Sequence, residues 1–376
     1  MVTPLAAPAF FNVTLSSFTA NSINKPTILM FRGGTNRSLD FNGNYRHNFT
    51  PASPLQLKRH PRFYLNGKER QCDDMNADDE RLLERGLAFQ QNFTIRSFEI
   101  GSDFKISIET LMNYLQDAGV NHLKSAGILA NGTLGATAEM DARDLIWVVY
   151  GLDMQVDYYP SWADVVQVET WIYKSGRNSF CREWRVHDLK TGKTPIQAAS
   201  LHVVMNKKTR KIVKLSEEVI KDFKPFLMQR DPHIHKTSTK LLQLDTNKAD
   251  YVRTSLTPGW TDMDVNEHVS HIKLVNYVLE SVPSEVVESH KISAITLDYR
   301  KECNRDSLLQ SFSRVTSSNR MNELMDNGEI EFDHLLCLEC GQEIVRGNSK
   351  WKPKCEDNST CSLELIRVKM KNMCTV

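Results

Sequence analysis

The sequence lacks three features that would each point to a broad class of protein. Basic and acidic residues nearly balance, 47 against 46, so the charge of the whole chain gives no reason to expect a nucleic-acid or membrane-surface protein. No apolar run approaches the roughly 18 residues that a membrane-spanning helix needs. The 8 cysteines are scattered, which favours reduced thiols in an intracellular compartment over a secreted disulfide scaffold. Cys337 and Cys340 have no second close pair that would complete a zinc ribbon, and we expect no metal and no cofactor.

Residues 1–70 are poor in acidic residues and rich in Ser, Asn, Thr and Pro. Asp40 and Glu69 are the acidic residues of this segment, against nine basic ones. Such a composition is typical of a plastid or other organelle transit peptide, and it lacks the basic start and unbroken apolar stretch of a secretory signal. The alternative is a disordered tail without a targeting role. We expect residues 71–88 to link this segment to the folded part.

From Phe89 onward the same order of elements, a helix followed by strands, occurs twice. Apolar residues at helical spacing predict a first helix over residues 107–127 and a second over residues 269–282, and the apolar runs after each helix predict strands. A long helix wrapped by a strongly bent antiparallel sheet is the hotdog fold. The sequence therefore predicts an α+β tandem double hotdog. Its predicted parts are an N-terminal hotdog (89–215), a linker (216–250), a C-terminal hotdog (251–353) and a tail (354–376).

Polar residues are densest immediately before the second predicted helix, from Trp260 to His271. Asp264, Asn266 and His268 alternate by two, so an extended chain would place a carboxylate, a carboxamide and an imidazole on one side. The unpaired amides at the start of the following helix favour an anion, such as the oxyanion formed by attack on a thioester carbonyl. The alternative is helix capping by Asp264 or Asn266 with an exposed His268.

A second polar group, Glu302 with Cys303, follows an apolar strand of the second unit. The corresponding place in the first unit holds Ser161 and Trp162, so the second unit alone carries the reactive set. The first unit would then supply an apolar cavity. The candidate residues that line this cavity are Met112, Leu115 and Leu123. Their helical spacing fits an ordinary hydrophobic core equally well.

Five stretches carry a resemblance to a known family. They are Gln91-Asn-Phe-Thr-Ile-Arg-Ser-Phe-Glu-Ile-Gly101, Arg143-Asp-Leu-Ile-Trp-Val148, Asp262-Met-Asp-Val-Asn266, Tyr299-Arg-Lys-Glu-Cys303 and Glu343-Ile-Val-Arg-Gly347. Through them the chain from Phe89 to Pro353 resembles the plant plastid acyl-acyl-carrier-protein thioesterases. A further stretch, Arg305-Asp-Ser-Leu-Leu-Gln-Ser311, favours the class that prefers saturated acyl chains over the oleoyl class.

The resemblance implies an enzyme that releases free fatty acids from acyl carrier protein in the plastid stroma, ending chain elongation. The family's catalytic set falls on Asp264, Asn266, His268 and Glu302, with Cys303 as a neighbour. Two mechanisms stay open. Either a carboxylate, Asp264 or Glu302, activates water that Asn266 and His268 orient, or Cys303 attacks the carbonyl after His268 has taken its proton.

Departures from the family pattern surround the predicted catalytic histidine. The usual Asn-Gln-His-Val-Asn-Asn becomes Asn266-Glu-His-Val-Ser-His271, which introduces Glu267, Ser270 and His271. In the first unit, His202 stands where the family has Trp. These changes leave chain-length preference and catalytic rate open.

The resemblance also implies a partner, acyl carrier protein, which is acidic, so docking predicts a local basic surface on a chain of nearly neutral total charge. The candidate docking residues are Lys207, Lys208, Arg210 and Lys211. The alternative is that they form a solvated turn without a docking role. Two hotdogs in one chain already reproduce the usual pairing, so a monomer or a homodimer is expected. Two other functions stay open: a hotdog dehydratase acting on hydroxyacyl chains, and a catalytically impaired module that binds acyl chains or the carrier.

Overall fold

The computed structural model describes residues 79–229, 241, 243–316 and 328–354. The predicted transit peptide and all but the first residue of the predicted tail lie outside the described residues. The described strands are β1 (Glu80–Leu83), β2 (Ala88–Thr94), β3 (Leu145–Val156), β4 (Val165–Ser175), β5 (Ser179–Asp188), β6 (Ile196–Asn206), β7 (Tyr251–Leu256), β8 (His290–Tyr299), β9 (Leu309–Val315), β10 (Ile330–Leu338) and β11 (Glu343–Pro353). The described helices are α1 (Ile108–Ser125), α2 (Ala138–Ala142), α3 (Glu217–Phe223), α4 (His271–Leu279) and α5 (Ser284–Ser289).

The eleven described strands form one antiparallel sheet in the order β1-β2-β4-β5-β6-β3-β8-β11-β10-β9-β7. The first six belong to the N-terminal unit and the last five to the C-terminal unit. The two units meet at the β3–β8 pair, where Leu152 lies opposite Leu297. β1 extends the sheet into the segment expected to be a linker, with Glu80 opposite Gln91. Together with the helices, this sheet confirms the predicted α+β double hotdog.

Helix α1 forms because its sequence supplies both a cap and an apolar face. The Ser107 hydroxyl accepts a hydrogen bond from the amide of Thr110 at 3.1 Å, which satisfies one of the unpaired N–H groups of the first turn. Leu111, Leu115 and Ala118 recur at helical spacing and are buried in the core. None of the described helices combines the length and the apolar character needed to cross a membrane.

The second long helix that the spacing predicts is shorter in the structure, because α4 has nine residues. Its first turn is capped by the Ser270 hydroxyl, which accepts from the amide of Ile272 at 3.3 Å. Ile272 and Val275 are buried. The predicted apolar face extended to Val282, which lies beyond the helix. Pro283 accounts for this break, since a proline disfavours helical backbone at the residue before it.

Part of the segment predicted as a linker, residues 216–250, packs against the N-terminal hotdog. The Ser216 hydroxyl caps α3, and Val219 and Phe223 on this helix are fully or almost fully buried. The rings of Phe223 and Trp147 meet edge to face with centroids 5.3 Å apart. This packing is explained by two apolar residues four positions apart, which lie on one face of the capped helix although the residues around them are polar.

Candidate active site

The loop before α4 is folded around the carboxylate of Asp264. Its Oδ1 accepts hydrogen bonds from the amides of Asn266 at 2.8 Å and His268 at 3.3 Å. The amide of Asp264 in turn donates to the carbonyl of His268 at 2.7 Å. Glu267 has a positive φ of 62°, which closes this tight turn. The loop is therefore compact rather than extended, and Asp264 shapes it while leaving Oδ2 without a hydrogen-bond partner among the described residues.

The imidazole of His268 has a defined orientation. Its Nδ1 lies 2.7 Å from the carbonyl oxygen of Asn266. A carbonyl can only accept, so at this shorter contact Nδ1 carries the proton, and the Nη2 of Arg210, 3.4 Å from Nδ1, is the weaker contact. Nε2 faces Glu302, whose Oε1 lies 3.4 Å away; the carboxylate can only accept, so the two pair when Nε2 also carries a proton. The side-chain amide of Asn266 lines the same cavity and makes no hydrogen bond to another described residue.

Glu302 is held by a residue of the other hotdog. Arg210 lies in the turn after β6 with a positive φ of 53°. Its Nε donates to Oε1 of Glu302 at 2.8 Å, and its Nη2 donates to Oε2. The guanidinium holds the pKa of Glu302 below its usual range, an effect that partial burial opposes and His268 reinforces. Sequence reasoning placed Arg210 in the docking surface and missed this contact, because no local spacing relates residues 92 positions apart.

Cys303 follows Glu302 but sits in a different environment. Its side chain is buried, and burial together with the Glu302 charge raises the pKa of the thiol to about 12. Its carbonyl accepts from the amide of Val269 at 2.9 Å, which ties the segment after β8 to the loop. Cys303 is absent from the residues that line the cavity, so a reactive thiolate is disfavoured here.

A cavity of about 560 Å³ connects this loop with the interior of the N-terminal hotdog. Asp264, Asn266, His268 and Glu302 line it together with Arg210. The three residues proposed from sequence to line an acyl cavity, Met112, Leu115 and Leu123, also line it, and all three are buried.

The unusual histidines of this sequence lie on the cavity wall. His271 presents its ring to the edge of Tyr299, with centroids 5.8 Å apart, and burial lowers the pKa of His271 to about 4. His202 shares a hydrogen bond of 2.6 Å with Ser200, and burial lowers the pKa of His202 to about 3. Both imidazoles are therefore neutral at physiological pH. Glu267 is exposed, away from this wall.

The remaining docking candidates lie on the same turn as Arg210. Lys207, Lys208 and Lys211 are exposed, and the Nζ of Lys208 pairs with Asp144 at 2.5 Å. The three lysines therefore lie beside the site without lining its cavity. In the described part of the chain, no cluster of three or more His, Cys, Asp or Glu residues is arranged to hold a metal ion.

Known proteins resemble the chain over this whole region. A palmitoyl-acyl carrier protein thioesterase of Gossypium hirsutum, described as chloroplastic, is 47% identical over 289 residues, 77% of this chain and 69% of that protein. A chloroplastic protein of the same description from Arabidopsis thaliana is 47% identical over 274 residues, 73% of this chain and 66% of that protein. The chain thus spans about two thirds of the length of these two relatives.

Solved structures agree with the sequence matches. The 12:0-ACP thioesterase from Umbellularia californica superposes with a TM-score of 0.67 at 42% identity, over 72% of this chain and 95% of that one. An acyl-ACP thioesterase from Bacteroides thetaiotaomicron, at 22% identity and a TM-score of 0.57, shares the fold. The N-terminal and C-terminal domain models of acyl-ACP thioesterases match residues 86–223 and 245–353. The fold, the matched domains and the plant relatives together confirm the resemblance read from the sequence: the chain belongs to the acyl-ACP thioesterase family.

Proposed function

We propose that this protein hydrolyses acyl thioesters of acyl carrier protein in the plastid, with a preference for saturated chains. The observation that carries the proposal is the convergence of Asp264, Asn266, His268 and Glu302 at a cavity that extends into a hotdog with an apolar core. The palmitoyl and dodecanoyl names of the plant relatives support a saturated substrate, and their chloroplastic descriptions agree with the transit peptide predicted from sequence.

Water is the nucleophile in this proposal, and Asp264 is the base. One oxygen of its carboxylate is occupied by two backbone amides, and the other is free among the described residues to take a proton. Both oxygens of Glu302 are engaged by Arg210, which makes Glu302 the poorer base. Cys303 is the weaker nucleophile because deprotonation of a buried thiol with a pKa near 12 is costly at neutral pH.

The step balances with the chain's own groups. Asp264 takes one proton from water as the hydroxide oxygen bonds to the carbonyl carbon, and the carbonyl becomes an oxyanion. The positive end of α4, whose first residues line the cavity, stabilises that oxyanion. Collapse breaks the carbon–sulfur bond, and the departing thiolate receives the proton from Asp264. Asn266 orients the water, and Glu302, paired with a protonated Nε2, holds the imidazole of His268 beside it.

The carrier docks, in this proposal, on the basic turn after β6. Lys207, Lys208 and Lys211 are exposed on the turn whose Arg210 reaches the site, so an acidic carrier bound there would lie close to the cavity. Charge reversal of the three lysines should raise KM for the acyl carrier substrate and weaken its salt dependence, while kcat stays within a few-fold. An unchanged KM would exclude this turn as the docking surface.

The proposed function is tested by turnover of a panel of saturated and monounsaturated acyl-carrier-protein thioesters, scored as free fatty acid. Asp264→Asn keeps an oxygen that can cap the loop but removes the base, and we expect kcat to fall about 10²–10⁴-fold with an unchanged melting temperature. Asp262→Asn is the matched control, since that carboxylate holds the amide of Gly259 and the hydroxyl of Tyr277. A hydroxyacyl thioester added to the panel tests the dehydratase alternative, because a dehydratase would convert it to an enoyl thioester. Binding without release would support a binding module.

A further inference from the structure

Arg182 on β5 is a buried cation on the wall of the cavity. The residue is 6% exposed and lines the cavity opposite helix α1. The helix approaches closely because residue 119 is glycine: a Cβ built there would lie 3.3 Å from Cδ and Nε of Arg182. Glycine in a helix interior costs about 1 kcal/mol relative to alanine, so its presence here reflects the space that the guanidinium occupies.

The side-chain partners of this guanidinium are both neutral. Nη1 donates to Oγ1 of Thr170 and to Nδ1 of His122, each at 3.1 Å. The Nε2 of His122 lies 2.9 Å from the carbonyl of Gly86 and must donate to it, which leaves Nδ1 as an acceptor. Burial lowers the pKa of His122 to about 3. Among the described residues no carboxylate forms an ion pair with Arg182.

Two of the three guanidinium-group nitrogens of Arg182 have donors to spare. Nε and Nη2 make no hydrogen bond to another residue in the described part of the chain. Burial lowers the pKa of Arg182 to about 9, so the group remains charged at neutral pH. A buried charge without a counter-ion is strongly unfavourable. A ligand in the cavity that accepts hydrogen bonds from the free N–H groups would therefore be favoured.

Neighbouring polar groups extend this part of the wall. Ser200 on β6 lies directly opposite Arg182 in the sheet register. Its hydroxyl is hydrogen-bonded to His202, and all three residues line the cavity. Arg182, Ser200 and His202 therefore form a polar strip on a wall that also carries apolar residues such as Leu115 and Leu152.

We propose that the polar strip is a subsite for an oxygen atom carried on the acyl chain, so that the protein takes hydroxyacyl or oxoacyl chains in preference to unsubstituted chains of equal length. A hydroxyl or ketone oxygen accepts from the free N–H groups of Arg182, whereas a methylene group leaves them unpaired. Ser200 and His202 add a hydroxyl and a neutral imidazole beside the same oxygen. This inference deepens the proposed function, on which its relevance to catalysis rests.

Binding of free fatty acids tests the subsite without requiring turnover. Calorimetry on the full chain would compare one unsubstituted saturated acid with hydroxy and oxo acids of the same length, the oxygen being moved along the chain. We expect about tenfold tighter binding for at least one oxygen position, because bonds to a charged donor are among the stronger ones and an unpaired buried donor penalises the unsubstituted chain. Equal or weaker binding of every oxygenated acid would overturn the proposal.

Variants assign the effect to Arg182. Arg182→Met should abolish the preference, whereas Arg185→Met should keep it, because Arg185 lies on the same strand over the ring of Trp171 and does not line the cavity. If Arg182→Met does not fold, Gly119→Ala displaces the same guanidinium and should reduce the preference. A preference that survives displacement or removal of the guanidinium would also overturn the proposal. Hydrolysis of unsubstituted thioesters, measured in parallel, separates failure of the subsite from failure of the thioesterase function.

Discussion

Replacement of Arg210 by Met tests whether this residue positions the catalytic groups or only attracts the carrier. The guanidinium donates to both oxygens of Glu302, and the two side chains are 27% and 29% exposed. Hydrogen bonds to charged groups contribute about 1.5–3 kcal/mol, so their loss should lower kcat/KM by about 10- to 100-fold. Removing the neighbouring positive charge also raises the pKa of Glu302, because the largest of the effects that lower it is lost.

The assay is the pH dependence of kcat/KM on one saturated acyl-carrier-protein thioester. Because kcat/KM reports ionisations of the free enzyme and Glu302 must be ionised to hold His268, the acid limb in Arg210→Met should move to higher pH. Arg210→Lys keeps the charge but loses the two-pronged geometry, so we expect a lower rate with a limb close to that of the wild type. Lys208→Met is the matched control on the same turn, since Lys208 pairs with Asp144 and not with Glu302.

Stability gives an independent reading of the same pair. A carboxylate whose pKa is lowered in the folded state adds stability above its unfolded pKa and loses it as the pH falls through the folded pKa. The difference in melting temperature between wild type and Arg210→Met should therefore be present at neutral pH and shrink in acid. The positioning role would be refuted if Arg210→Met raised only KM, kept the acid limb of the wild type, and showed no pH-dependent difference in melting temperature from the wild type. The docking role predicted from sequence would then remain.

Further substitutions address the nucleophile, the sheet and the segment after β6. Cys303→Ala should keep kcat within a few-fold and no acyl-enzyme should be seen by mass spectrometry; a trapped thioester on Cys303 would contradict water attack. Gly347→Ala should lower the free energy of unfolding by about 1–3 kcal/mol, because the new Cβ would lie 2.9 Å from a methyl carbon of Leu297. Ser216→Ala should cost about 1 kcal/mol in a urea titration through loss of the cap on Val219, and no effect would mean that α3 is not stabilised by it.

The fold was accessible from sequence because its signals are local. The helical spacing of Leu111, Leu115 and Ala118 and the alternation along the later strands define elements that the structure contains. The ends of elements were less accessible: an apolar face continuing to Val282 does not reveal that Pro283 ends the helical backbone first. Likewise, the buried pair on α3 lies inside a stretch whose polar composition indicates a linker.

In the candidate site, too, the features set by neighbouring residues were predictable and the long-range contacts were not. Asp264, Asn266 and His268 are close in sequence, and their common loop was predicted, although the turn is tighter than an extended chain. The contact between Arg210 and Glu302 depends on how two hotdogs pair, and the contact of Arg182 with His122 depends on how a helix crosses a sheet. Neither contact has a signature in spacing or composition, because each is set by tertiary packing.

The β3–β8 junction explains how a doubled fold can work with the single catalytic set proposed here. Pairing at this junction turns two open sheets into one and removes two strand edges that would otherwise be available for association. It also brings the turn after β6 against the end of β8, so that Arg210 from one unit can hold Glu302 from the other. The cavity proposed to take the acyl chain lies in the first hotdog, and the loop proposed to react lies in the second; residues of both line one cavity. Each unit is thus free to specialise, because the chemistry depends on the junction and not on either hotdog alone.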